Sequence, residues 1–134
     1  MKTIFHALLL ALFTFGTACN SNKNKVQAMT TTYAEIKRQV LNRFNMLLSE
    51  KRLTRQEYIT YSQTIIEDIT FCANNTDTAL IKNRLLSGLK KLKTAELDTE
   101  DREAIANWYL VLAQTVKIDM KGDLNKWLYN FAPE

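Results

Sequence analysis

The stretch LTRQEYITYSQTIIEDITFCANNTD, residues Leu53 to Asp77, contains a start signal, an apolar stripe and a stop signal for one helix. Thr54 stands at an N-cap position with Glu57 three residues on, so each side chain can satisfy an otherwise orphaned backbone amide of the other residue. Leu53 before the cap and Tyr58 after the box are placed for a hydrophobic staple. Tyr58, Tyr61, Ile65, Ile69 and Cys72 then recur at steps of three and four, widened by Ile66 and Phe71, which is the period of a helix buried on one side. The run NNTD at Asn74 to Asp77 ends it. Asn74-Asn75-Thr76 also fits a glycosylation acceptor, but it reads here as a turn followed by the next cap.

Upstream, a helix is expected over roughly Thr32 to Lys51. Tyr33, Ile36, Val40, Leu41, Phe44, Leu47 and Leu48 form its apolar face, and Lys37, Arg38, Asn42, Arg43 and Asn45 cover the other. Downstream, a third helix runs from about Thr78 to Leu92 with Ile81, Leu85, Leu86, Leu89 and Leu92 inward. The fourth starts at LDTEDRE, where Asp98 or Thr99 caps, and carries Ile105, Trp108, Tyr109, Leu112 and Val116. Gly122 fits the C′ position that closes it. A short last helix would then place Leu124, Trp127, Leu128 and Phe131 across the open end. After residue 16 the only glycines and proline are Gly88, Gly122 and Pro133, and such long unbroken stretches favour helix. The expected fold is all-α: an antiparallel four-helix bundle, because the connections are short, with a short C-terminal fifth helix. A domain of about 100 residues needs neither disulfide nor metal to hold such a core.

The formal charge of +4 is misleading as a guide to partners. Lys2, Lys23 and Lys25 lie before Val26, and the rest of the chain is nearly balanced, at a net +1. Nucleic-acid affinity rests on neutralising phosphates and needs a basic excess on the folded part, so no nucleic-acid partner is expected. The only histidine, His6, falls in the N-terminal apolar segment, which removes histidine acid–base chemistry and most zinc sites from the folded part. Carboxylates occur in groups, at Glu67-Asp68 and from Asp98 to Glu103. Neighbours on a helix point in different directions, and the second group is explained by helix capping. DMKGDLN, Asp119 to Asn125, lacks the ligand spacing and closing Glu of a calcium loop. No glycine-rich phosphate loop is present. No catalytic residue, metal site or cofactor is assigned, and a non-enzymatic role is expected. Cys72, in an apolar helical run, reads as a buried inert thiol.

The N-terminus carries the clearest address. Lys2 precedes an apolar run from about Ile4 to Phe15, too short to span a bilayer, followed by Gly16, Thr17, Ala18 and then Cys19. These residues resemble a bacterial lipoprotein signal, which implies cleavage before Cys19 and acylation of that cysteine. Gly16 stands where that family usually has Leu. Ordinary signal-peptidase cleavage after Ala18 and an uncleaved anchor also fit the same residues. The domain plan is residues 1–18 as signal peptide, 19–29 as lipidated cysteine and flexible tether, and 30–134 as the helical bundle. The expected location is the cell envelope, lipid-anchored to a bacterial membrane through Cys19 and facing the periplasm.

The ending LDTEDREAIANWYLVLAQTVKIDMKGDLNKWLYNF, Leu97 to Phe131, is similar to the C-terminal signature of a family of small helical domains of unknown function from Bacteroidetes-type bacteria. Leu97 to Asp101, Leu124, Asn125, Trp127, Leu128, Tyr129 and Phe131 carry that resemblance. It implies the helical fold and assigns no activity. Aromatics crowd this last quarter, and Tyr109 and Tyr129 are the ones expected at the surface, where exposed aromatics serve as binding anchors. With Lys90 and Lys91 of the basic third helix they are the candidate protein-binding residues. The helix dipole alone also accounts for lysines at a helix C-terminus. The functional expectation is a small periplasmic lipoprotein acting as a protein-binding module, in its sharpest form an immunity-type inhibitor of an antibacterial enzyme. The alternatives are an accessory subunit of an envelope complex or a small-ligand carrier.

Overall fold

The computed structural model describes residues 20–92 and 97–129, with side chains from Thr32 onward. Five helices follow in order: α1 (Asn20–Ser49), α2 (Arg55–Asn74), α3 (Thr78–Lys91), α4 (Thr99–Thr115) and α5 (Lys121–Tyr129). No strand occurs among the described residues.

Local chemistry sets the helix starts. At α2 the capping box is complete: the Glu57 amide donates to Thr54 Oγ1 at 3.2 Å, and the Thr54 amide donates to Glu57 Oε2 at 2.6 Å. Asp77 Oδ1 accepts from the Ala79 and Leu80 amides at 2.9 and 3.1 Å to open α3. Asp98 Oδ1 accepts from the Asp101 amide at 2.9 Å to open α4. Each such cap contributes about 1 kcal/mol.

The helix ends correct one expectation. Gly122 does not close α4; it lies inside α5. The left-handed residue after α4 is Lys117, at φ 60°, and the one after α1 is Lys51, at φ 59°. In both cases the residue beyond reaches back to a carbonyl of the last turn: Ile118 N–H to Ala113 O at 2.8 Å, and Arg52 N–H to Leu47 O at 2.9 Å. This is the Schellman arrangement, made with lysine where glycine is the usual choice.

The helix α1 also starts before Thr32. Residues 20–29, expected to be a flexible tether, are helical backbone continuous with the rest of α1. No Gly or Pro interrupts the stretch, so nothing local stops the helix from propagating N-terminally. Cys19 lies outside the described residues.

The helices alternate in direction. Tyr33, early in the packed part of α1, donates to the Cys72 carbonyl near the end of α2 at 3.4 Å. Further along α1, Phe44 meets Tyr61 near the start of α2, with ring centroids 6.3 Å apart. On its other side α1 runs antiparallel to α4: Arg43 bonds Asp101 in the first turn of α4, and Trp108 Nε1 donates to Gln39 Oε1 at 3.1 Å. The helix α3 packs on α2, and α5 packs on α4. The result is an up-and-down antiparallel bundle, closed along one side by the short fifth helix. Val40, Ile65, Leu85, Leu112 and Ile105 are buried at its centre, each contributing roughly 1.5–3 kcal/mol relative to exposure. Polar contacts seat α5. Trp127 Nε1 donates to the Leu89 carbonyl of α3 at 2.9 Å, and Arg102 Nη1 donates to the Leu128 carbonyl at 3.2 Å.

Candidate functional site

The core contains a carboxylate. Asp68, on the inner face of α2, is 0% exposed. Its Oδ2 accepts from the Tyr109 hydroxyl of α4 at 2.6 Å, and its Oδ1 accepts from Arg84 Nε of α3 at 2.6 Å. One side chain therefore joins three helices. Space for it comes from Gly88 on α3: a Cβ there would stand 1.7 Å from Asp68 Oδ2 and 2.8 Å from the Tyr109 hydroxyl. Here the absence of a side chain permits the close approach.

Burial pushes the Asp68 carboxyl above its ordinary range, and the hydrogen bonds from Tyr109 and Arg84 only partly offset that. The same hydrogen bond holds the Arg84 guanidinium above its own usual value. The Tyr109 hydroxyl is pushed well above the ordinary tyrosine range by burial, and further by the neighbouring carboxylate. One turn beyond Asp68, burial and then the Asp68 charge push the Cys72 thiol up to about 12. So Cys72 stays protonated at neutral pH and is a poor nucleophile. Both Asp68 oxygens are engaged by donors, so the carboxylate is a clamp between helices.

A second buried aspartate, Asp101, sits at the other end of the bundle in the first turn of α4. Arg43 Nε reaches Asp101 Oδ1 at 2.7 Å and Arg52 Nη2 reaches its Oδ2 at 2.6 Å, while Arg52 also contacts Asp98. Burial pushes the Asp101 carboxyl up, opposed by Arg43 and Arg52. Asp98, exposed and bonded to the Asp101 amide, is held below its usual value chiefly by that bond.

The structure separates the four residues expected to bind a protein. Tyr109 is corrected: it is 0% exposed and spent on Asp68. It lies one position beyond Trp108 and one turn past Ile105, and both rows of that face turn inward. Tyr129 is 53% exposed at the end of α5. Lys90 and Lys91 are exposed in the last turn of α3. The Trp127–Leu89 bond brings the end of α5 against the end of α3, so Tyr129 and the two lysines lie at one end of the bundle. The lysines and the helix dipole attract each other there.

The sequence carries a signal for the pairing of Asp68 with Gly88, weaker than the caps and stripes that set the helices. Asp68 continues the inward row Tyr61, Ile65, Cys72 at helical spacing, and Gly88 stands beside Leu89 in the inward row of α3. A charged residue in one apolar stripe and a glycine in the next mark a buried polar contact. Among the described residues no group of three or more His, Cys, Asp or Glu is placed to hold a metal ion, and no helix is long and apolar enough to cross a membrane. A surface groove of about 350 Å³ separates α4 from α5, with Leu110, Leu124 and Leu128 on its walls.

Fold and site together define a small up-and-down helical bundle braced by buried aspartate–arginine contacts. Residues 21–132 match the family described as domain of unknown function DUF4844, and the chain belongs to that family. No curated protein and no solved structure shows significant similarity to it.

Proposed function

We propose that this chain is a lipid-anchored, non-enzymatic protein-binding module of a bacterial cell envelope, held at the periplasmic face of a membrane through Cys19. The observation that carries the reading is the N-terminal order of residues: Lys2, the apolar run to Phe15, the small residues Gly16 to Ala18, then Cys19. Two or more acyl chains on one cysteine give stable anchoring where a single chain is marginal. The bundle adds support of a different kind. Its buried carboxylates are engaged by arginines and a tyrosine, which fits a scaffold, and Lys90, Lys91 and Tyr129 stand at the surface within reach of a partner. An antibacterial enzyme that this module neutralises is the sharpest version of that partner.

The reading is tested by expressing the full chain in a bacterial host fed an alkyne-bearing fatty acid. The wild type should take up the label and remain with membranes, and Cys19→Ser should lose both. A wild-type chain that stays unlabelled and is released in soluble form contradicts the anchor. The membrane-held wild type then serves as bait. One stoichiometric enzyme recovered with it supports the inhibitor version, whereas several envelope components recovered together support an assembly subunit.

A further inference from the structure

Three grooves on the described surface differ in the state of their polar side chains. In the groove between α2 and α3, about 410 Å³, Arg84 is held by Asp68 and Glu67, and the carboxamides of Asn74 and Asn75 donate to the Thr70 and Phe71 carbonyls. In the groove between α1 and α4, about 300 Å³, Glu35 is bonded by Arg38 and Gln39, and Gln39 in turn accepts from Trp108. The groove between α4 and α5 is different. Its apolar floor is Leu110, Leu124 and Leu128, and its polar side chains are Lys121, Asn107 and Asn125. None of those three side chains has an ion pair or a hydrogen bond among the described residues. The acids nearest Lys121 in the chain are already engaged: Lys82 Nζ meets Asp123 Oδ2 at 3.2 Å, and Asp119 Oδ1 accepts from the Lys121 amide at 3.1 Å. The Lys121 ammonium is thus left without a counter-charge at one end of an apolar trough.

We propose that the α4–α5 groove binds a free medium-chain fatty acid, with its carboxylate at Lys121 and its chain along the leucine floor toward Leu128. The proposal goes beyond the envelope-module reading and does not depend on acylation at Cys19. An apolar cleft of several hundred cubic ångströms with a few convergent polar groups is the usual form of a small-molecule site. A carboxylate offers one oxygen to the ammonium and a second to the N–H of a carboxamide. A phosphate or sulfate calls for a guanidinium fork, and this groove presents a single ammonium. The walls are two helices, whose backbone groups are bonded within each helix. An extended peptide would leave its own amides unpaired against the leucines, whereas an alkyl chain has none to satisfy. Lys121 and Leu128 are seven residues apart on α5, about 10 Å of helix. A zigzag of carbon–carbon bonds of about 1.5 Å covers that distance with roughly eight to ten carbons.

The test uses the full chain in phospholipid nanodiscs and decanoate bearing a photoreactive diazirine near its methyl end. After irradiation, mass mapping should find the adduct on the facing segments of α4 and α5, around Leu110 and Leu124 to Leu128. Unlabelled acids should compete in the order decanoate, octanoate, hexanoate, with each methylene worth about two- to fourfold, the upper value for full burial. Methyl decanoate should compete far less well than decanoate. Lys121 is exposed, so Lys121→Gln should keep the fold and lower labelling several-fold. Ala106→Trp, which fills the groove from α4, should abolish labelling, and Thr70→Trp in the α2–α3 groove should leave it unchanged. No adduct on the protein, adducts scattered over its surface, equal competition by the methyl ester, or wild-type labelling of Lys121→Gln each overturns the fatty-acid site. Any of those results leaves the anchor reading intact, because fatty-acid labelling of Cys19 is measured separately.

Discussion

Asp68 and Asp101 are both buried, both bonded to arginine and both pushed upward by burial, yet they do different work. Asp101 lies at a helix start, where two guanidiniums and the dipole of α4 favour its charge. Its partners Arg43 and Arg52 are partly exposed, as is the Arg84 that meets Asp68, so the two sites differ in the number of guanidiniums and in the buried Tyr109 hydroxyl rather than in the exposure of their arginines. Asp68 lies mid-helix with a single guanidinium and a neutral hydroxyl for company, and its fit depends on a glycine on a third helix. Rim pairs of the first kind are replaceable, since water and neighbouring charges can substitute for a lost partner. The interior contact is conditional on every member, because a buried group deprived of its partner bears the full desolvation cost. The same residue type is thus a fastening at one end of the bundle and a constraint on helix register at its middle.

The largest expected effect breaks the interior site through its empty space. Gly88→Ala gains helix propensity, but its methyl would overlap the Asp68 carboxylate and crowd the Tyr109 hydroxyl. A loss of about 3 kcal/mol is expected in urea unfolding, as for overpacked cores; stability equal to wild type would contradict the close approach. Asp68→Ala comes next. It strands the Tyr109 hydroxyl and leaves a void, for an expected loss of about 2–4 kcal/mol. Asp101→Ala should cost less, about 1–2 kcal/mol, because Arg43 can turn to Glu100 and Arg52 to Asp98 or water. Equal losses for the two alanine variants would erase the distinction between the sites.

A smaller effect sharpens it. The Asp68 carboxyl titrates above its ordinary value in the folded protein, so the folded state keeps this proton longer than the unfolded chain does. The stabilisation linked to it is complete below the unfolded value of 3.8 and is lost as pH rises through the folded value. Measured against Asp68→Asn, the wild type should therefore compare best below about pH 4 and worst near neutrality. Glu35 behaves oppositely. Hydrogen bonds from Arg38 and Gln39 hold its carboxyl at about 2, so its contribution is present above the ordinary value and fades only in strong acid. A wild-type advantage over Asp68→Asn that grows toward neutral pH would contradict the assignment at Asp68.

What the sequence reveals about this molecule divides along the same line between local and distant chemistry. The capping box at Thr54 and Glu57 and the caps at Asp77 and Asp98 are decided within four residues, and they are legible. The inward stripes of α1, α2 and α3 are legible because periodicity is also local. The burial of Tyr109 is not, since an aromatic at the edge of a stripe faces core or solvent depending on which helix packs beside it. Its partner Asp68 lies on another helix, and the room for both is made by a glycine on a third. The closing turn of α4 misleads for a related reason. Gly122 has the right chemistry for a left-handed cap, but the back-bonding of Ile118 to Ala113 fixes the turn at Lys117. The start of α1 is hidden by a polar composition that reads as tether, although nothing in it forbids helix.

The most direct test of the central claim, that Asp68 and Tyr109 act as one unit across the core, is a double-mutant cycle. Urea unfolding of Asp68→Asn, Tyr109→Phe and the double variant gives their coupling energy, and the cycle of Arg52→Ala with Asp101→Asn gives the rim comparison. The account predicts a coupling above about 1 kcal/mol for the interior pair and below about 0.5 kcal/mol for the rim pair. Additive losses at Asp68 and Tyr109, or a rim coupling that exceeds the interior one, would contradict it.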